Sequence, residues 1–348
     1  MAKTAFIIGG TGQIGIAIAE RLLSEGWRVT LGSRGNGIVP PGLIEAGAVA
    51  KKIDRSAPNA LSAFISQGCD LLVDTIAFDD KHARQLLEVQ NDCGQIVAIS
   101  SASVYCDADG RTLDEAFQNG FPDLPLSMTE EQRTVEPSPR TYSTRKVAME
   151  RELLGGSKTP AAIVRPCAIH GPHSSHPREW WFVKRLLDGR PAIPLAYGGR
   201  SLFQTSATAN IAALISAIAE SNEAGIFNAV DADTPNISEI GAAIMEACHI
   251  AAEMVVVEDK GYPPLMGATP WSIPAPFTIS GEKALGIGYR PIGDYRTTVM
   301  SACEYLKQNA DRDWRQAYPQ LAAYPYDMFD YEAEDRWLTM SASRDFLC

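Results

Sequence analysis

The chain has 348 residues, 45% of them hydrophobic, and a formal net charge of −11. That length can bury one large core or two smaller ones, and a mean hydropathy of −0.09 suits a globule in water. A pI near 5.0 argues against a polyanionic nucleic acid as the main partner, and no apolar run approaches the roughly 20 residues that cross a bilayer.

Thr4–Ile8 reads as a buried first strand. A strand so near the start leaves no room for a signal or transit peptide, which predicts a cytoplasmic protein. The strand runs into IIGGTGQIG at 7–15, with glycines at 9, 12 and 15, and then into an expected helix over Gln13–Ser24. Gly9 permits the tight turn, Gly12 lets backbone approach a pyrophosphate, and Gly15 lets the helix pack on the strand. Amide N–H groups and the positive dipole end of that helix face outward there. This predicts a dinucleotide-binding turn, with Thr11, Gln13 and Ile14 between the glycines as further contacts.

Apolar or β-branched runs recur at Trp27–Leu31, Ala48–Ile53, Leu71–Ile76, Ile96–Ser100 and Ala161–Arg165, separated by stretches able to form helices. Strands alternating with helices predict an α/β protein with a doubly wound parallel Rossmann sheet. Ala77, directly after the Leu71–Ile76 run, is a candidate cofactor contact. The second strand exits through Leu31-Gly32-Ser33-Arg34, where NAD-selective folds place an acid on the ribose 2′-hydroxyl. A hydroxyl and a guanidinium can instead bond a 2′-phosphate, so NADP(H) is expected over NAD(H), unless Arg34 is merely a solvated loop charge.

The fifth strand ends in Ser100-Ser101-Ala102-Ser103-Val104-Tyr105. Small hydroxyls at the carboxyl end of a parallel strand can bond a substrate oxygen, or simply bond their own backbone. Further on, Tyr142 and Lys146 stand four apart, which places phenol and ammonium on one helical face. A fixed cation beside a tyrosine favours its phenolate. The helix is expected to stop at Gly155-Gly156 before the next strand.

With these residues in view, the chain resembles the extended short-chain dehydrogenase/reductase family, the NAD(P)-dependent epimerase/dehydratase type. The resemblance rests on GGTGQIG at 9–15, SSASVY at 100–105, YSTRK at 142–146 and RPCAIHGP at 165–172, with weaker echoes at 225–244 and 283–295. It implies Tyr142 as acid/base, Lys146 as holder of the cofactor ribose that lowers the tyrosine pKa, Ser101 on the reacting oxygen, and Asp54 on the adenine amino group. Sugar-nucleotide enzymes of the family usually carry asparagine where this chain has Ala168, and a phosphate-binding arginine where it has Phe203. Asn210 replaces a frequent aspartate.

The second half opens on His170-Gly171-Pro172-His173-Ser174-Ser175-His176 and Trp180-Trp181. Hydride transfer needs no metal, and no carboxylate interleaves at catalytic spacing, so no metal is expected. His170, His173 and Trp180 are candidate substrate contacts together with Ser103, although the tryptophans equally suit the core of a helix over Glu179–Leu187. Seven cysteines with no Cys-x-x-Cys pair predict reduced thiols.

Residues 1–170, with 203–230, are expected to form the cofactor domain, and 171–202 with 231–310 a smaller C-terminal substrate-binding lobe. The aromatic, acidic tail 311–348 is expected to fold back on that lobe or to form a subunit contact in a possible homodimer. The functional expectation is an NADP(H)-dependent oxidoreductase acting on a small-molecule ketone or alcohol. A nucleotide-sugar epimerase or dehydratase is the alternative, and a non-catalytic dinucleotide sensor is a second one.

Overall fold

A computed structural model describes residues 2–35, 37–257 and 265–345, with side chains described through 340. The stretch 258–264 of the expected substrate lobe and the tail's last three residues, Cys348 among them, lie outside the described residues. The chain divides into two compact units.

The first unit comprises Met1–Ile169, Ser206–Asp231 and Ile279–Ile292. Its sheet has seven strands: β1 Thr4–Ile8, β2 Arg28–Ser33, β3 Val49–Lys52, β4 Cys69–Asp74, β5 Cys93–Ile99, β6 Ala161–Pro166 and β7 Gly225–Ala229. They lie in the order β7-β6-β5-β4-β1-β2-β3, and every pairing is parallel. Parallel strands need crossovers, which here include helices α1 Gln13–Ser24, α2 Asp80–Glu88, α3 Tyr142–Gly156 and α4 Thr208–Ser221. This is the doubly wound α/β arrangement read from the sequence.

Alternation along each strand feeds both faces of the sheet. Ala5, Ile7, Leu71, Val73, Val97 and Ile99 pack with Ile16 and Ile18 of α1 and Ile211 and Ile215 of α4. Their neighbours Phe6, Ile8, Leu72, Ile96 and Ala98 pack on the other face with Leu86 of α2 and Met149 and Leu153 of α3. Burial on both faces explains why these strands read as unbroken apolar runs. Only β3, Val-Ala-Lys-Lys at the sheet edge, is exposed throughout, and its lysines discourage edge-to-edge pairing.

Strand order reverses about β1, with β2 and β4 on its two sides, so the chain leaves β1 and β4 toward opposite sides of a crevice at their carboxyl ends. The Gly9–Gly15 turn, the turn after Asp74 and the serines after Ile99 follow those ends. The helix stops where the glycines were expected to stop it: α3 ends at Gly156, with Ser157 as its C-cap. A Cβ on Gly156 would lie 2.6 Å from Leu87, so this glycine serves close packing of α3 on the α2 region.

The second unit comprises His170–Thr205, Ala232–Thr278 and Gly293–Cys348. Helices Trp180–Leu187, Ile237–Cys248 and Tyr295–Gln308 pack together there, and strands Ala192–Leu195 and Glu253–Val256 pair in parallel. The aromatic tail folds back within this unit. Arg185 of the first of those helices stacks 3.6 Å from the Trp181 ring centroid, donates to the Met328 carbonyl and pairs with Glu334 at 2.5 Å. Tyr331 donates to Asp188, and Trp314 meets Phe329 edge-on at 5.1 Å. Among the described residues, no helix is long and apolar enough to cross a membrane.

Candidate active site

At the glycine turn, Gly9 takes φ +80°, and a Cβ there would sit 2.3 Å from the Thr75 hydroxyl. A Cβ on Gly15 would sit 2.4 Å from the Gly9 carbonyl, so the helix seats directly on the turn. Gly12 is the N-cap of α1, and no side chain caps the helix. Its first-turn amides are therefore available to an anion. The Gln13 Nε2 is buried without a hydrogen-bond partner, a second donor awaiting an acceptor. These features fit the pyrophosphate of a dinucleotide.

Ser33 closes β2, Arg34 follows it, and Ser33 lies in register with Lys52 of β3. The Lys52 stem runs along Gly35, about where a Gly35 Cβ would meet its Cδ at 3.8 Å. Arg34 is exposed, and its charge and that of Lys52 assist the Ser56 hydrogen bonds in holding the Asp54 carboxyl below its ordinary range. Asp54 itself accepts from the Ser56 hydroxyl at 2.6 Å and from its amide at 3.0 Å. Lys52 was not singled out by the sequence. Strand register is the signal that finds it.

The serines after β5 form a hydrogen-bonded chain. Ser101 accepts from the Ser103 amide at 3.1 Å and bonds its hydroxyl at 3.0 Å, while Ser143 donates to the Ser103 carbonyl at 2.9 Å. Ser101 thus bonds local backbone, as one of its two sequence readings had it, and it also hydrogen-bonds Tyr142. A capping box starts α3: Thr141 accepts from the Thr144 amide, and Thr144 accepts from the Thr141 amide. We expect Thr141→Ala to cost about 1 kcal/mol in urea unfolding, because one orphan amide loses its acceptor. An unchanged unfolding midpoint would contradict that role.

One turn along α3, the Lys146 ammonium is buried and donates to the Ala77 carbonyl at 2.7 Å and the Ile99 carbonyl at 2.9 Å. Two of its three N–H bonds are used. It lies 5.6 Å from the Tyr142 ring centroid. Electrostatics differ from the expectation that Lys146 lowers the tyrosine pKa. Tyr142 keeps 37% of its surface exposed, yet desolvation by the surrounding protein pushes it up to about 12, a shift that the Asp114 charge supports and the Ser101 hydrogen bond opposes. Burial brings Lys146 down to about 8, against the pull of Asp74 and Glu150. The resting pair is a neutral phenol beside an ammonium held by carbonyl oxygens.

Within the second unit, His170 meets the Tyr295 ring at 4.8 Å, His173 that of Tyr305 at 4.6 Å, and His176 that of Tyr324 at 5.7 Å. Three histidines thus face three different tyrosines. Among the described residues, no group of three His, Cys, Asp or Glu side chains could hold a metal ion. Trp180 is 4% exposed and stacks near Tyr318, which makes it a core residue of its helix.

A family model of the NAD dependent epimerase/dehydratase family matches residues 5–229, the stretch that holds the glycine turn, Ser101, Tyr142 and Lys146. The chain belongs to that family. Among solved structures, a UDP-glucose 4-epimerase from Stenotrophomonas maltophila with bound NAD superposes with a TM-score of 0.68 at 14% identity, covering 88% of this chain and 99% of that one. A UDP-glucuronic acid 4-epimerase from Bacillus cereus, in complex with UDP-glucuronic acid and NAD, gives 0.64 at 16% identity, again covering 88% and 99%. At those identities the likeness is one of fold. Chloroplast stem-loop binding protein of 41 kDa b from Arabidopsis thaliana is 29% identical over 214 residues, 58% of this chain and 51% of that relative. The chain therefore spans about half the length of that relative.

Inside this epimerase/dehydratase fold, the departures noted in the sequence have structural occupants. Ala168 is buried, and Phe203 stacks on Phe277 at 5.7 Å. Asn210 is buried too, donating to Asp231 and accepting from the Ile292 amide. Two ion pairs of the first unit escaped the sequence reading: buried Arg165 with Glu150 at 2.5 Å, and half-buried Arg55 with buried Asp74 at 2.7 Å.

Proposed function

We propose that this member of the family is an NADP(H)-dependent oxidoreductase that reduces a small-molecule ketone or aldehyde, or runs the reverse oxidation. The carrying observation is the Ser101–Tyr142–Lys146 cluster with its phenol held neutral. A bound reduced dinucleotide would supply hydride to the carbonyl carbon. The protein's part is then to give a proton to the carbonyl oxygen. Tyr142 donates it from its hydroxyl, Ser101 bonds the same oxygen, and the free N–H of Lys146 bonds the cofactor ribose. Gly9–Gly15 with Gln13 would take the pyrophosphate, Asp54 the adenine, and Ser33, Arg34 and Lys52 the 2′-phosphate.

Buried Ala168 and half-buried Phe203 support a substrate without a nucleoside diphosphate, since neither side chain can bond one. A nucleotide-sugar epimerase or dehydratase is the second reading, favoured by the family and by the structures that share the fold. Binding of a nucleic-acid stem-loop, which the Arabidopsis relative's name brings up, is opposed by the charge of −11.

The test is to offer the purified protein NADPH with a panel of carbonyls, and separately UDP-sugars. Loss of the reduced-nicotinamide absorbance with some carbonyl is the expected result. Tight calorimetric binding of a UDP-sugar, turned over with no net redox change, would overturn it in favour of the second reading.

A further inference from the structure

The geometry points to Asp74, clamped by Arg55, as a positioning residue that holds Lys146 in place and positively charged. The inference rests on the proposal that Lys146 contacts a bound dinucleotide. Asp74 is the last residue of β4, fully buried, and its two oxygens do different work. Oδ2 accepts from Arg55 at 2.7 Å, while Oδ1 accepts from the Ile76 amide at 2.9 Å. The second bond shapes the turn 74–77. That turn presents the Ala77 carbonyl to the Lys146 ammonium, and it presents Thr75, whose hydroxyl donates to the Ile8 carbonyl at 3.0 Å, against Gly9. One carboxylate therefore sets the turn shared by the glycine loop and the lysine.

Arg55 is itself fixed. It donates to the Gln85 side chain and the His82 carbonyl, and it receives the Gln85 amide on its own carbonyl. Such a braced guanidinium fixes the carboxylate's orientation. The Asp74 charge matters as well, because Lys146 lies among few counter-charges: Asp74 from β4 and Glu150 from α3, the latter already bonded to Arg165. Tyr142 on α3 is neutral, and burial and the Arg55 charge lower the pKa of His82 on the α2 side. An opposite charge nearby favours the ammonium, and its removal favours the neutral amine.

The experiment is NADPH binding by fluorescence across the alkaline range, in wild type, Asp74→Asn and the charge-balanced pair Asp74→Asn with Arg55→Met. Asparagine keeps an acceptor for the Ile76 amide but removes the charge, and the pair guards against an uncompensated Arg55 that unfolds the protein. Wild type should lose affinity as Lys146 deprotonates. In both variants the midpoint of that loss should fall by about one pH unit or more. Equal weakening at every pH, with an unmoved midpoint, would mean a merely structural role and overturn the inference alone. No binding of NADPH by wild type would overturn the proposed function and this inference with it.

Discussion

Replacing Tyr142 by phenylalanine should lower turnover by about two orders of magnitude or more while leaving NADPH affinity nearly intact. The ring can keep its place, 5.7 Å from Phe78 and beside Lys146, so packing changes little. What disappears is the proton. Lys146→Met should differ in kind, weakening turnover and NADPH binding together, since it removes both a charge and a ribose contact. Steady-state rates with a binding titration separate the two patterns, and near-normal turnover in Tyr142→Phe would remove that residue from the mechanism. The raised tyrosine pKa adds a sign. Below about 12 the phenol is the resting form, which suits a donor in carbonyl reduction, whereas alcohol oxidation needs the phenolate and should gain rate as pH rises.

The sequence placed Tyr142 and Lys146 together because helical periodicity is local, and it placed the glycine turn because three glycines between a strand and a helix have few other uses. It could not give the sign of the tyrosine shift. Spacing says that two groups are near, but desolvation is a property of the whole sheet, and desolvation is the largest influence on both groups. Boundaries failed for similar reasons. β2 continues past Leu31 to Ser33, and a Cβ on Gly32 would lie 2.6 Å from Phe64, so the glycine there meets a packing requirement. Arg55–Asp74 and Arg165–Glu150 join residues 19 and 15 apart in the chain, at no periodic spacing, and only the fold brings them together.

Cofactor choice should respond to Arg34. A charge-assisted bond to a 2′-phosphate contributes roughly 1.5–3 kcal/mol, which corresponds to about one to two orders of magnitude in catalytic efficiency for NADPH over NADH. Arg34→Ala should erase most of that preference and scarcely affect NADH, which presents only a hydroxyl there. Lys52 should add a smaller share, because its ammonium reaches the same strand ends on a flexible stem and shares Asp54 with Arg34. Aspartate in place of Ser33 should push preference toward NADH by repelling the phosphate. Measuring kcat/KM with both cofactors in wild type, Arg34→Ala and Lys52→Gln tests the set. Equal use of the two cofactors by wild type would mean that Arg34 spends its charge on solvent and Asp54, and would restore the NAD-retaining epimerase or dehydratase reading.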